Sequence, residues 1–489
     1  MREAPVPLKT ELAAPANPVS VEPVLCVDLD GSLVKSDTLL DAFCQFVRRE
    51  PLQVWRAPLW LAGGRARLKL EVARRAPLDP VRLPYNAELL RFLQAQRREG
   101  RHIFLTTGAD GPLAERIAAH LGIFDGVLAS DGTTNLTRHN KLRRLKEQFG
   151  TFDYIGNSRA DLPLLVNARN AMLANPSPGL QTALRLRKVR VTHAFVDQRS
   201  PLRTVLKAIR VHQWAKNILL FFPLLFSHKV TQGAVGAIVA AFFCFSFMAS
   251  ANYLVNDMLD IESDRRHPSK RLRPFAAGDL PVAGGILLAF GLVVAALGIL
   301  PHLPRAFGMW LGVYIVGSIA YSFYLKQIPL VDVLLLSSLY TLRVLAGGAA
   351  TGTEISPWLA GFSTFLFLSL AMVKRFGELE NLREQGASAT HGRGYLVADM
   401  EQIRSFGTSS ATAAVVVFML YIARPDVTAL YRHATRLWLI APLLIYWLFR
   451  VWLVASRGEL DDDPVVFAMR DGLSLAVGVL VIAVALSAI

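Results

Sequence analysis

Apolar positions recur along the chain in two rhythms, and the change falls near Arg203. Before it, short apolar runs alternate with amphipathic, arginine-rich stretches. "VLCVDLD", "HIFLTTG", "GVLAS" and "TFDYIGNS" each predict a buried strand running into a polar turn. After it come long apolar runs near residues 214–228, 234–254, 283–300, 308–324, 330–350, 357–373, 406–423, 437–455 and 471–488. The hydrocarbon core of a bilayer takes about 20 helical residues, range about 17–25. Several runs must borrow flanking residues to reach that length, but together they predict nine spans. The pattern is that of a soluble α/β domain followed by an all-α transmembrane bundle.

Composition agrees. Of 489 residues, 53% are hydrophobic, which suits a multi-span membrane protein better than a soluble enzyme. The formal charge of +15 points to cytoplasmic loops and to contact with anionic lipid or phosphorylated substrates. No compact basic motif with interleaved aromatics is present, so nucleic acid is not expected as a partner. Cys26, Cys44 and Cys244 have no metal-binding or redox spacing and read as cytoplasmic thiols. Residues 1–22, rich in Pro and Ala and without the apolar segment of a secretory signal, read as a disordered tail.

With the soluble half inside, the loops at 256–278, 324–329, 374–405 and 456–470 share one face and hold most of the Lys and Arg near span ends. That face is expected to be cytoplasmic, with Arg424, Arg432 and Arg436 a local exception opposite. The expected location is the inner membrane, multi-pass, with the soluble domain and active sites facing the cytoplasm.

The stretch "NDMLDIESDRRHPSKRLRPFAAG" follows the second apolar run directly. If the helix continues, Asn256, Asp257, Asp260 and Asp264 share one face, where like charges repel. A divalent cation makes such a face favourable, since Mg²⁺ takes one or two carboxylates plus substrate phosphates and waters. Arg265, Arg266, Lys270, Arg271 and Arg273 then suit further phosphate oxygens. A plain interfacial loop is the alternative from charge alone. Other loops on that face decide between them: Tyr321, Lys326, Asp332 and Arg343, then Lys374, Arg375 and Glu378, put acids and bases at or inside apolar helices. Ionised groups there are expensive and normally face a polar cavity. Their clustering at one face, rather than at the midplane, argues against a conduction path.

These residues resemble the UbiA superfamily of intramembrane prenyltransferases, over about 202–489. The resemblance implies that Asp257, Asp260 and Asp264, with Asn256 in support, hold a Mg²⁺-bound diphosphate. The family's second aspartate-rich motif is not evident, and "KRFGE" stands near its place, a departure that weighs against a prenyl diphosphate donor. "HPSKRLRP", "YSFYLK", "LRVLAGGAA", "KRFGELE" and "DDPVVFAMRDG" are instead similar to the branch that transfers 5-phosphoribose from phosphoribosyl diphosphate to a polyprenyl phosphate. That implies phosphate-binding roles for Arg265, Lys270, Arg273, Tyr321, Lys326, Arg343, Lys374 and Arg375. The alternative is a prenyl diphosphate donor with an aromatic acceptor.

In the soluble half, Asp28-x-Asp30-Gly31 ends an apolar strand, and Thr106, Lys141, Asn157 and Asp161 follow in order. A loop after such a strand can present two carboxylates to one ligand. The set resembles haloacid dehalogenase (HAD)-type phosphatases. The resemblance implies a Rossmann-like fold with a helical cap at about 37–83, and Asp28 as the nucleophile. Asp30 is the implied acid/base, with Thr106 and Lys141 on the phosphoryl group and Mg²⁺ held by Asp28, Asp30, Asn157 and Asp161. Asn157 departs from the usual acid. The expected domains are 23–195 and 211–489, joined by a linker at 196–210. The expected coupling is that the soluble domain removes the 5-phosphate from the transferase product; a regulatory or degenerate domain is the alternative. The bilayer, phosphoribosyl diphosphate and a polyprenyl phosphate are the expected partners, and a homo-oligomer is left open.

Overall fold

The computed structural model describes residues 23–130, 136–197, 199–227, 231–384, 394–460 and 463–489. The tail expected at 1–22 lies outside them. Two compact units are present: Met1–Ala42 with Trp55–Gln198, and Phe43–Val54 with Arg199–Ile489.

The first unit is built on a parallel six-stranded sheet. Its strands are β1 (Val24–Asp28), β2 (Ile103–Asp110), β3 (Gly126–Ser130), β4 (Phe152–Gly156), β5 (Ala171–Ala174) and β6 (Val191–Phe195), in the order β3-β2-β1-β4-β5-β6. Leu25, Cys26, Val27, Ile103, Leu105 and Ile155 are fully buried. Burial on both faces explains why these strands read as apolar runs rather than alternations. The strand order reverses between β1 and β4, and the crevice at their carboxyl ends is where such sheets bind ligands. Short helices Ala57–Ala62 and Arg65–Arg75 lie within the insert after β1. Trp60 is buried beneath the Arg75 guanidinium, whereas Trp55 is 63% exposed. The three cysteines are free and buried.

The second unit is helical. Its long helices are α1 (Gln232–Leu259), α2 (Val282–Ile299), α3 (Arg305–Phe323), α4 (Val331–Thr351), α5 (Pro357–Glu384), α6 (Met400–Ile422) and α7 (Ile440–Ser456). Two further helices, α8 (Pro464–Arg470) and α9 (Gly472–Ala488), meet at a bend of 82°. Among the described residues, seven helices are long and apolar enough to cross a bilayer, or eight if the bent pair forms one span. Of the nine runs expected, eight fall on these helices. The run expected at 214–228, described as far as 227, is not among these helices: Val211–Phe221 forms tight 3₁₀ turns, and Phe222–Phe226 a single short helix. Buried polar groups at Lys216 and Asn217 and a proline at 223 interrupt what looked like a continuous apolar run. This segment lies against α4, where a side chain on Gly347 would sit 2.0 Å from the Leu220 carbonyl oxygen. Outward residues such as Leu287, Phe290, Val479 and Ile482 are 60–72% exposed, an arrangement that suits lipid rather than water.

Candidate functional sites

In the first unit, β1 delivers Asp28 to the sheet's carboxyl edge, in register with Thr106 on β2. Lys141 donates to Asp28 Oδ1 at 2.6 Å and to the Tyr154 hydroxyl at 3.0 Å. Tyr154 in turn donates to Asp161 Oδ1 at 2.9 Å. Asp161 Oδ2 accepts from the Ser158 backbone at 3.0 Å and hydroxyl at 2.9 Å, so the turn after β4 is closed by the same side chain. Thr106 donates to the Val27 carbonyl at 3.3 Å. Asp30 accepts from the Thr38 backbone and hydroxyl, at 2.8 and 2.7 Å. Gly31 takes a left-handed conformation, φ 75°, and a side chain there would meet Asn157 Nδ2 at 2.0 Å. The tight "DxDG" loop and the "GNS" loop thus touch because residue 31 has no Cβ.

Burial raises both carboxyls. Asp28 is pushed up to about 6 despite Lys141 beside it. Asp30 is pushed up to about 7, by burial and then by the charge of Asp37. A cavity of about 90 Å³ adjoins Asp30, lined in part by Asp37, Lys69 and Asp110. Tyr154, the bridge between Lys141 and Asp161, was not singled out in the sequence, where it reads only as an apolar strand position.

In the second unit, a cavity of about 290 Å³ is lined by Asn256, Asp260, Arg273, Tyr321, Lys326, Arg343 and Lys374 from the sequence-derived set. Arg210, Lys216 and Asp463 also line it. The acids do not lie along one straight helix. α1 stops at Leu259, Asp260 occupies the turn, and a short helix resumes at Ile261–Arg266. Instead of facing one another, the carboxylates face cations. Asp257 receives Arg210 through two bonds, at 2.5 and 3.2 Å, and Arg273 at 3.2 Å. Asp264 receives Arg273 at 2.8 and 3.1 Å, and burial still pushes its carboxyl up to about 6. Asp260 accepts from Asn256 at 3.2 Å and lies 3.7 Å from Lys326.

A second polar group lies elsewhere in the cavity wall. Lys216 and Lys374 both donate to Asp463 Oδ2, at 2.8 and 3.0 Å, and Tyr340 donates to Asp463 Oδ1 at 3.0 Å. Arg343, 4% exposed, donates to Asn217 at 2.9 Å and to the Tyr314 hydroxyl at 3.2 Å, and its guanidinium lies over the Tyr314 and Tyr340 rings. Among the described residues no carboxylate lies within ion-pair range of Arg343.

Five residues of the sequence-derived set do not line the cavity: Asp257 and Asp264, held behind it by Arg210 and Arg273, and the bases Arg265, Lys270 and Arg375. Arg265 is turned to the Ala276 carbonyl at 3.1 Å, tying the basic loop to its own helix. Lys270 is exposed. Arg375, 1% exposed, is bound by Asp332 and Glu378 and donates to the Tyr321 hydroxyl at 3.0 Å. Of the residues that sequence reasoning missed, Lys216 carried a legible signal, since it breaks an apolar run. Asp463 lay inside the quoted "DDPVVFAMRDG" without being singled out. Arg210, in the linker, carried no signal.

Among the described residues, no three His, Cys, Asp or Glu side chains converge as a ready-made metal cluster. The donors present are nonetheless hard oxygens in small number beside cations. That set suits Mg²⁺, which completes its shell with substrate phosphate and water.

Residues 218–486 match the model of the UbiA prenyltransferase family, and residues 25–166 that of the haloacid dehalogenase-like hydrolases. The chain is 37% identical over 469 residues to the Sinorhizobium fredii protein y4nM, covering 94% of this chain and 89% of that one. It is 34% identical over 278 residues to the Azorhizobium caulinodans nodulation protein NoeC, covering 56% and 90%. With the decaprenyl-phosphate phosphoribosyltransferase of Mycobacterium tuberculosis it shares 35% identity over 230 residues, covering 45% and 74%.

Proposed function

The chain belongs to the UbiA prenyltransferase family, with a haloacid dehalogenase-like domain ahead of the membrane helices, and from that premise we propose a two-step enzyme. The membrane unit moves 5-phosphoribose from phosphoribosyl diphosphate to a polyprenyl phosphate, and the soluble unit then removes the 5-phosphate. The observation that carries this reading is the charge of the membrane cavity. Arg210, Lys216, Arg273, Lys326, Arg343 and Lys374 line it beside Asp260 and Asp463, with Asp257 and Asp264 behind Arg210 and Arg273, so cations outnumber carboxylates six to four. Six cations suit a reaction whose donor and acceptor together bring a diphosphate and two phosphomonoesters. A prenyl diphosphate and an uncharged aromatic acceptor would leave several of them unanswered. The likeness to phosphoribosyltransferases supports the same choice.

In the transfer step the bond from ribose C1 to the diphosphate oxygen breaks, and diphosphate leaves with the electron pair. An oxygen of the acceptor phosphate forms the new bond to C1. That oxygen is already anionic, so no strong base is required. Asn256 and Asp260 present oxygens to the cavity, while Arg210 and Arg273 hold Asp257 and Asp264 in place. Bound Mg²⁺ would supply charge neutralisation of the departing diphosphate. Restricted access of water protects the cationic character at C1 from hydrolysis.

In the soluble unit, Asp28 is proposed to attack the phosphomonoester and become an aspartyl-phosphate. The P–O bond to the sugar breaks, and Asp30 gives its proton to the leaving alkoxide. Water, deprotonated by Asp30, then releases phosphate. Lys141 offsets the charge on Asp28 and on the transferred group. The active sites are proposed to face the cytoplasm from the inner membrane.

An assay with radiolabelled phosphoribosyl diphosphate and, separately, labelled prenyl diphosphate tests the reading. Label is expected to enter polyprenyl phosphate from the first donor only, in a product lacking the 5-phosphate. Incorporation from the prenyl donor into an aromatic acceptor would overturn the donor assignment. A product that keeps its 5-phosphate would overturn the coupling.

A further inference from the structure

The membrane cavity contains two polar groups with different charge balances. Around Asp257, Asp260 and Asp264 each acid has a paired cation, from Arg48, Arg210, Arg273 and Lys326. Around Asp463 the balance differs: Lys216, Lys374 and Arg343 face one carboxylate. That leaves a surplus of two positive charges, and a phosphomonoester carries about −1.5 to −2 near neutral pH. Both lysines reach the same oxygen of Asp463, so their ammonium groups already converge on one point.

Next to this group is a place for a long apolar chain. Tyr340 stacks on Phe367 with ring centroids 5.1 Å apart and 19° between planes. Tyr340 lines the polar cavity, and Phe367 lines an apolar one of about 320 Å³ that also includes Phe222, Val344, Trp447 and Val477. Both cavities draw on the 211–226 segment, α4 and α5, and Asp463 caps α8, which gives Ala468 to the apolar one.

We propose that Lys216, Lys374 and Arg343 bind the phosphate of the lipid acceptor, and that Asp463 sets the charge of that site to match a monophosphate. This rests on the phosphoribosyl-transfer reading and assigns the acceptor a place separate from the donor diphosphate. With Asp463 present, a monophosphate is neutralised and a diphosphate is left with excess negative charge. Asp463 is a positioning residue: it holds the two ammonium groups together while the phosphate is bound through them.

The test uses the full chain in nanodiscs, with farnesyl phosphate, farnesyl diphosphate and phosphoribosyl diphosphate as binding probes, beside the transfer assay. Lys216→Met is expected to weaken farnesyl phosphate binding about tenfold or more, and to raise KM for polyprenyl phosphate similarly. Phosphoribosyl diphosphate affinity should stay within about twofold. Asp463→Asn is expected to shift the preference from farnesyl phosphate toward farnesyl diphosphate by about tenfold, a gain that misfolding cannot produce. Equal loss of both substrates in Lys216→Met, unchanged farnesyl phosphate binding, or an unchanged preference in Asp463→Asn would overturn the proposal. A wild-type chain that transfers no phosphoribose but binds farnesyl phosphate through Lys216 would sink the transfer reading and leave the site standing. A wild-type chain that binds no isoprenyl phosphate at all would sink the site itself.

Discussion

Arg375 on α5 is locked to Asp332 at the start of α4, and both side chains are shut off from solvent, at 1% and 0% exposure. Its guanidinium also meets Glu378 and holds the Tyr321 hydroxyl at the cavity wall. Removing one member of such a pair leaves a buried charge unanswered. Arg375→Met or Asp332→Leu alone is expected to cost about 3–5 kcal/mol, while the double variant recovers most of that. Thermal unfolding of the three proteins in one detergent checks this. A double variant no more stable than the singles would show that the pair is not the reason.

Asp257 is the carboxylate on which Arg210 and Arg273 converge. Asp257→Asn keeps the shape and removes the charge. Transfer from phosphoribosyl diphosphate is expected to fall about 100-fold or more. Farnesyl phosphate binding and thermal unfolding of the same preparation should be unchanged, which separates a chemical effect from loss of fold in the membrane unit.

Asp28→Asn is the converse. Phosphatase activity is expected to drop by about 10⁴ or more, while phosphoribosyl transfer continues and the doubly phosphorylated lipid accumulates. Rapid quench with ³²P-labelled substrate should trap an acyl-phosphate on the native protein and none on the variant. Trapping on the variant would rule out Asp28 as the nucleophile.

Gly31→Ala asks an L-residue to sit at φ 75° with its methyl group 2.0 Å from Asn157 Nδ2. A loss of about 1–3 kcal/mol in the soluble unit is expected, together with its phosphatase activity. Limited proteolysis and p-nitrophenyl phosphate turnover measure the two. Full activity in a stable variant would mean that the Gly31 loop need not lie against Asn157.

How much of this was legible in the sequence depended on the length of the signal. β1 to β4 were visible because each couples an apolar run to a polar turn. β5, "AMLA", is too short to show a period, and β6 is largely exposed at Thr192, His193 and Ala194, so neither was expected. Acids and bases breaking long apolar runs pointed to a cavity, and Asn256, Asp260 and Lys326 line one. Which cations face that cavity was not legible. Arg343 and Arg375 look alike in sequence, and only the position of Asp332 distinguishes a cavity arginine from one already paired inside the bundle. The run at 214–228 read as one apolar helix, yet Val211–Phe221 coils as 3₁₀ turns and only Phe222–Phe226 is α-helical, because hydropathy averages over Lys216, Asn217 and Pro223.

The absent side chain at Gly347 sets how deep that segment lies. Leu220 presses its backbone directly onto α4, and Lys216 is four residues upstream on the same tight coil. A single methyl group at 347 would lift the coil and carry the lysine away from Asp463, although residue 347 itself touches no substrate. Such an allele would insert, fold its soluble half and still hydrolyse small phosphate esters, yet starve the lipid step: a lesion that screens of the charged residues alone would overlook.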